Sequence, residues 1–125
     1  MRKRMMAVAA IVLTGAAAPT FAHPKLVSAS PAPNATVATA TDVRLSFSER
    51  LLAPFSKADL LLTSTPTARL RAPIRVPVRS AVSSNGKGFI VTPAKPLVTG
   101  SYKLLYRMTS VDTHRVQGSY VFTVK

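Results

Sequence analysis

The sequence predicts an all-β fold, an immunoglobulin-like antiparallel β-sandwich of about seven strands with Greek-key connections. Three observations carry that prediction. Short segments alternate apolar with polar residues, clusters of Pro, Gly and Asn punctuate them, and no helical period is sustained beyond the N-terminal stretch.

The chain opens with a segment to be set aside. Arg2, Lys3 and Arg4 precede an apolar run from Met5 to Ala18, and Thr20-Phe21-Ala22 offers small residues for cleavage. Residues 1–22 are therefore expected to be a signal peptide, removed on export, leaving residues 23–125 as one domain. As a membrane anchor, the run is weakened by Thr14, Gly15, Pro19 and Thr20.

The first strand is expected over Lys25 to Ala29, followed by a turn at Pro31-Ala32-Pro33-Asn34. Val43, Leu45 and Phe47 then alternate with Arg44, Ser46 and Ser48, which places one set against a core and the other toward solvent. Ala58 to Thr63 reads as the next strand. In the following one, Ile74, Val76 and Val78 alternate with Arg75, Pro77 and Arg79. Pro77 cannot donate to a ladder, so this strand is expected at a sheet edge. After the Asn85-Gly86 turn come Gly88 to Thr92, then Pro93, Pro96 and the Thr99-Gly100 turn. Tyr102, Leu104 and Tyr106 alternate with their polar neighbours, and Ser119 to Val124 completes the set.

Composition narrows the function. The chain has 17 Lys and Arg against four acids, Asp42, Glu49, Asp59 and Asp112, for a formal charge of +13. Loss of Arg2, Lys3 and Arg4 would lower it to about +10. Export and the lack of interleaved aromatics argue against nucleic acid, leaving a solvated basic face or a loose attraction to a membrane surface. With no cysteine, the domain must stand on its hydrophobic core and lacks the thiol a redox metal would most readily oxidise.

Cleavage after Ala22 makes His23 the first residue. An N-terminal histidine offers its α-amine and Nδ1, which close a six-membered chelate ring on one metal ion. With ordinary pKa values of about 7.7 to 8.0 and about 6.5, both groups can yield a lone pair near neutral pH when a metal competes for the proton. Pro24 has no amide N–H, so the competing peptide-nitrogen chelate is blocked. In Ser110-Val111-Asp112-Thr113-His114, Asp112 and His114 are two apart, and in extended backbone both would face one side. Together with His23 they supply three nitrogens and one carboxylate oxygen, a tetragonal set that suits Cu(II) better than zinc. Singly, each pattern has a plainer reading: an incidental His after a cleavage site, and a carboxylate neutralising Arg107 or Arg115.

Read in order, His23-Pro24-Lys25-Leu26-Val27-Ser28, Phe47-Ser48-Glu49, Pro96-Leu97 with Gly100-x-Tyr102-Lys103, Ser110-x-Asp112-Thr113-His114, Gly118-Ser119 and Phe122-Thr123-Val124 resemble the CopC family of periplasmic copper-resistance proteins. The resemblance covers nearly all of residues 23–125. It implies a monomeric, non-enzymatic sandwich holding one Cu(II) through His23, Asp112 and His114, with Glu49 behind the ligands or as a weak axial contact. It also implies an inner-membrane copper transporter of the CopD type as partner. Some members add a Cu(I) site on a methionine-rich loop, but here Leu60 to Arg79 contains neither Met nor His, so no Cu(I) site is expected. Met108, the remaining methionine after cleavage, reads as packing.

Two other functions compete. The same amine-imidazole chelate is similar to the histidine brace of copper-dependent polysaccharide monooxygenases. A carboxylate ligand favours Cu(II) over Cu(I), however, and so opposes the reduction those enzymes need. Alternatively, Arg69, Arg71, Arg75 and Arg79 could bind a protein partner with metal incidental, although charged edges also simply discourage intermolecular strand pairing. No nucleophile motif supports hydrolysis and no Gly-rich phosphate cradle is present.

Overall fold

A computed structural model describes Gly15 and residues 23–125. The expected signal peptide, apart from Gly15, lies outside the described residues. The described strands are β1 (Leu26–Ser30), β2 (Thr36–Val37), β3 (Val43–Phe47), β4 (Lys57–Thr65), β5 (Ala68–Val76), β6 (Val78–Val82), β7 (Gly88–Pro93), β8 (Gly100–Thr109) and β9 (Arg115–Val124). A single 3-10 turn, Ala53–Phe55, sits between β3 and β4. No helix among the described residues is long and apolar enough to cross a membrane.

The strands form two sheets, one ordered β1-β3-β7-β6 and the other β2-β9-β8-β4-β5. All pairs are antiparallel except the short β2, which runs parallel to β9. Alternation sends Val43, Leu45 and Phe47 of β3 and Phe89 and Val91 of β7 inward from one sheet, against Tyr102, Leu104 and Met108 of β8 and Tyr120, Phe122 and Val124 of β9 from the other. These residues form one continuous core. Each fully buried Val, Leu or Phe contributes about 1.5–3 kcal/mol, which is the stabilisation a cysteine-free domain depends on.

The expected strand through Pro77 is in fact two strands. β5 ends at Val76 and β6 starts at Val78, and the two lie at the edges of different sheets. Pro77 sits at the crossing. Its missing donor fits a residue that leaves one ladder for another. The consequence is that Ile74 is largely exposed and Val76 and Val78 are only partly buried. The arginine strip divides for the same reason, with Arg69, Arg71 and Arg75 on β5 and Arg79 on β6. The alternation also misses β2, whose two residues are too few to show a period.

The β8–β9 hairpin positions the site. Its arms pair continuously from Gly100 with Val124 to Thr109 with Arg115, so the loop 110–114 is carried on a long, regular ladder whose inner face is core. At that end Tyr106 lies over Gly118, and its ring packs edge-on against Phe47 with centroids 5.5 Å apart.

Candidate metal centre

The loop between β8 and β9 folds on its own backbone. Ser110 N–H donates to the His114 carbonyl at 2.9 Å, and Thr113 N–H donates to the Ser110 carbonyl at 2.9 Å. Three residues thus cross the hairpin end, the last of them in the left-handed region, with Thr113 at φ 69°. This is the three-residue hairpin in which a turn is followed by a left-handed residue, a position usually given to Gly. A β-branched residue there stores strain of about 1–3 kcal/mol, which is characteristic of functional loops. Asp112 and His114 converge through this turn, not through the pleat of an extended strand as their spacing alone suggests.

Asp112 is clamped on both oxygens. The Ser110 hydroxyl donates to Oδ1, and Oδ2 lies 3.0 Å from Nδ1 of His114. The Ser110 hydroxyl bond, and after it the His114 contact, hold the Asp112 carboxyl below its ordinary value despite some desolvation. A carboxylate at Nδ1 fixes the ring orientation and makes Nε2 the nitrogen that Asp112 does not engage.

His23 reaches this loop from the other sheet. Pro24 is fully buried, and Lys25 N–H donates to Ser48 Oγ at 2.9 Å while Ser48 N–H returns a bond to the Lys25 carbonyl at 2.9 Å. Held by that clamp, the exposed His23 ring meets the His114 ring edge-on, with centroids 4.8 Å apart and an interplanar angle of 77°. The segment after β3 runs alongside the loop as well. Val111 N–H donates to the Arg50 carbonyl at 2.9 Å, and Leu51 bridges Ser110.

His23, Asp112 and His114 are therefore brought together by two pairwise contacts. Their donor atoms are not already converged as a cage, for among the described residues no three His, Cys, Asp or Glu side chains are so arranged. Glu49 lies half-buried in the bend after β3, one residue from the Arg50 carbonyl that binds the loop. The ion pairs among the described residues are Arg44–Asp42, Arg75–Asp59 and His114–Asp112, and Glu49 belongs to none of them. Asp112 is likewise not neutralising Arg107 or Arg115. Met108 is buried in the core at 1% exposure, as a packing residue would be.

Sequence reasoning passed over Ser48 and Ser110. Both stand in the motifs, but their work is to bond groups distant in the chain or around a turn. Ser110 had a signal, since a Ser two residues before an Asp can close a local side-chain bond. Ser48 had none.

The chain has clear relatives. The CopC domain profile matches residues 26–125. Copper resistance protein C of Xanthomonas campestris pv. juglandis is 49% identical over 110 residues, covering 88% of this chain and 86% of that protein. The crystal structure of PcoC, described as a methionine-rich copper resistance protein from Escherichia coli, superimposes with a TM-score of 0.76 at 36% identity, over 83% of this chain and 100% of that one. CopC from Methylosinus trichosporium OB3b gives a TM-score of 0.68 at 27% identity, over 82% and 94%.

Proposed function

This chain belongs to the CopC domain family, and from that premise we propose that it is a non-enzymatic, periplasmic Cu(II)-binding protein that buffers copper or delivers it to a CopD-type transporter in the inner membrane. The observation that carries this reading is the meeting of His23 with His114, at 4.8 Å between rings, while Asp112 holds Nδ1 of His114.

The N-terminal segment and the β8–β9 loop bring nitrogen and oxygen donors to one end of the sandwich, and the donor set suits Cu(II). Within the continuous chain the nitrogen of His23 is an amide. Cleavage after Ala22 frees it as an amine, which adds the fourth donor to Nδ1 of His23, Nε2 of His114 and the carboxylate of Asp112. A carboxylate has about four lone-pair sites, so one already accepting two hydrogen bonds retains capacity for a metal. In this reading Glu49 serves behind this set or as a weak axial contact.

The carboxylate also argues for binding over catalysis. A hard anionic ligand stabilises Cu(II) and resists the reduction to Cu(I) that oxygen activation requires. Among the described residues Met108 is the one methionine and lies in the core, and none stands between Leu60 and Arg79, so this reading includes no Cu(I) site. One Cu(II) per monomer is the stoichiometry of this reading.

The test is a Cu(II) titration of protein whose mass shows that it starts at His23, with electron paramagnetic resonance, beside the same protein carrying one extra N-terminal residue. One tight equivalent with nitrogen-rich tetragonal features, weakened by the extension, is expected. Equal binding by both forms removes the amine from the site.

A further inference from the structure

Beside the β8–β9 hairpin end lies a groove of about 670 Å³ whose charged lining, Lys57, Arg107 and Arg115, is wholly cationic. Lys57 of β4 pairs with Arg107 of β8, and Arg107 with Gln117 of β9, in one row across three strands. Two rows on, on the same face, Thr109 pairs with Arg115, directly adjoining the loop 110–114. The 3-10 turn forms the other wall, tied down by Thr109 Oγ1, which donates to the Phe55 carbonyl at 3.1 Å, and leaves the Phe55 ring 67% exposed.

The pairing of Lys57 with Arg107 breaks a local rule. Like charges directly opposite on neighbouring strands are destabilising, and a sequence that keeps such a pair without compensation marks a functional surface. No compensation is present: among the described residues, none of the three ion pairs involves Lys57, Arg107 or Arg115. The acid nearest in the ladder, Asp59, is engaged by Arg75 at 2.6 Å.

We propose that this groove is a docking site for an acidic peptide segment of a protein partner. Charge complementarity selects an anionic occupant, and the cations line a recess instead of a projecting face, which suits a chain segment better than a flat bilayer. Gln117 offers neutral hydrogen bonds to a peptide backbone, and Phe55 offers an apolar contact at the rim. A segment seated there lies beside Asp112 and His114, so a partner exchanging copper would be held at the metal loop. That last consequence rests on the copper reading; the groove itself does not.

The experiment is fluorescence anisotropy of a fluorescein-labelled decaglutamate peptide with the mature protein at low ionic strength. Two double variants of equal charge are compared: K57Q/R107Q in the groove, and R69Q/R71Q at the opposite end of the same sheet. The groove variant should weaken peptide binding by about tenfold, and the distant one by less than about twofold. Equal weakening by both would assign the binding to the general field of a basic protein and overturn the proposal. So would binding to phosphatidylglycerol vesicles that depends on Lys57 and Arg107 when peptide binding does not. Cu(II) affinity, measured in parallel, should be unchanged in K57Q/R107Q, and its loss together with peptide binding would overturn the groove as a separate site. Failure of the mature protein to bind Cu(II) would leave the peptide comparison intact, so the two readings fail separately.

Discussion

Nδ1 of His114 lies 3.0 Å from Oδ2 of Asp112, and this contact makes Asp112 both a candidate ligand and the group that aims the imidazole. The two roles separate under substitution. Asp112→Asn keeps an acceptor for the ring N–H but loses the charge, whereas Asp112→Ala loses both. If Asp112 supplies an oxygen to copper, both variants should bind Cu(II) about 10–100-fold more weakly, the usual cost of disturbing a metal's ligands or their supports. Isothermal titration with a competing chelator measures this. Near-normal affinity in Asp112→Asn beside a loss in Asp112→Ala would make the residue an orienting group only.

Thr113 adopts φ 69° between the two candidate ligands. Replacement by Gly relieves the left-handed strain, against the larger entropy that Gly loses on folding. The expected balance is a gain of about 1 kcal/mol in urea unfolding of Thr113→Gly. A loss of similar size would mean that the Thr113 side chain, whose hydroxyl bonds the Asp112 carbonyl at 2.6 Å, contributes more than its backbone costs.

Gly118 is covered by Tyr106. A Cβ there would fall 2.6 Å from Cζ of the ring, which is itself braced by Phe47. Gly118→Ala should therefore cost about 1–3 kcal/mol by overpacking. The double variant with Tyr106→Leu should recover part of that loss. Equal destabilisation by the single and double variants would show that the ring is not what the methyl strikes.

Tyr120 carries a buried hydroxyl without a hydrogen-bond partner among the described residues, and burial, reinforced by Tyr106, pushes its pKa up to about 12. The folded state thus keeps a proton that the unfolded chain releases near pH ~10, so stability must fall as pH rises from there toward the folded value. Tyr120→Phe removes both the titration and the unpaired group. It should be more stable by about 1 kcal/mol at neutral pH and lose less stability in base, as followed by thermal unfolding across pH. An unchanged alkaline profile would assign that limb to other groups.

The sequence by itself determined the class of fold, the inward set Val43, Leu45, Phe47, Tyr102 and Leu104, and the residue types able to take up Cu(II). These are local properties: period two sorts side chains to faces, and donor chemistry belongs to the residue. Which sheet a strand joins is a long-range choice that period two does not encode, so the crossing at Pro77, the exposure of Ile74 and the division of the arginine strip were decided only by tertiary structure. The site divides in the same way. Asp112 and His114 were legible as a pair, but a turn through Thr113, not a pleat, joins them. The clamp of Lys25 on Ser48 then brings His23 to His114 across most of the chain. The Lys57–Arg107 row was equally hidden, because residues 50 apart become neighbours only when β4 pairs with β8. Contacts of that separation come from packing two sheets on one core, and that packing turned scattered motifs into a site.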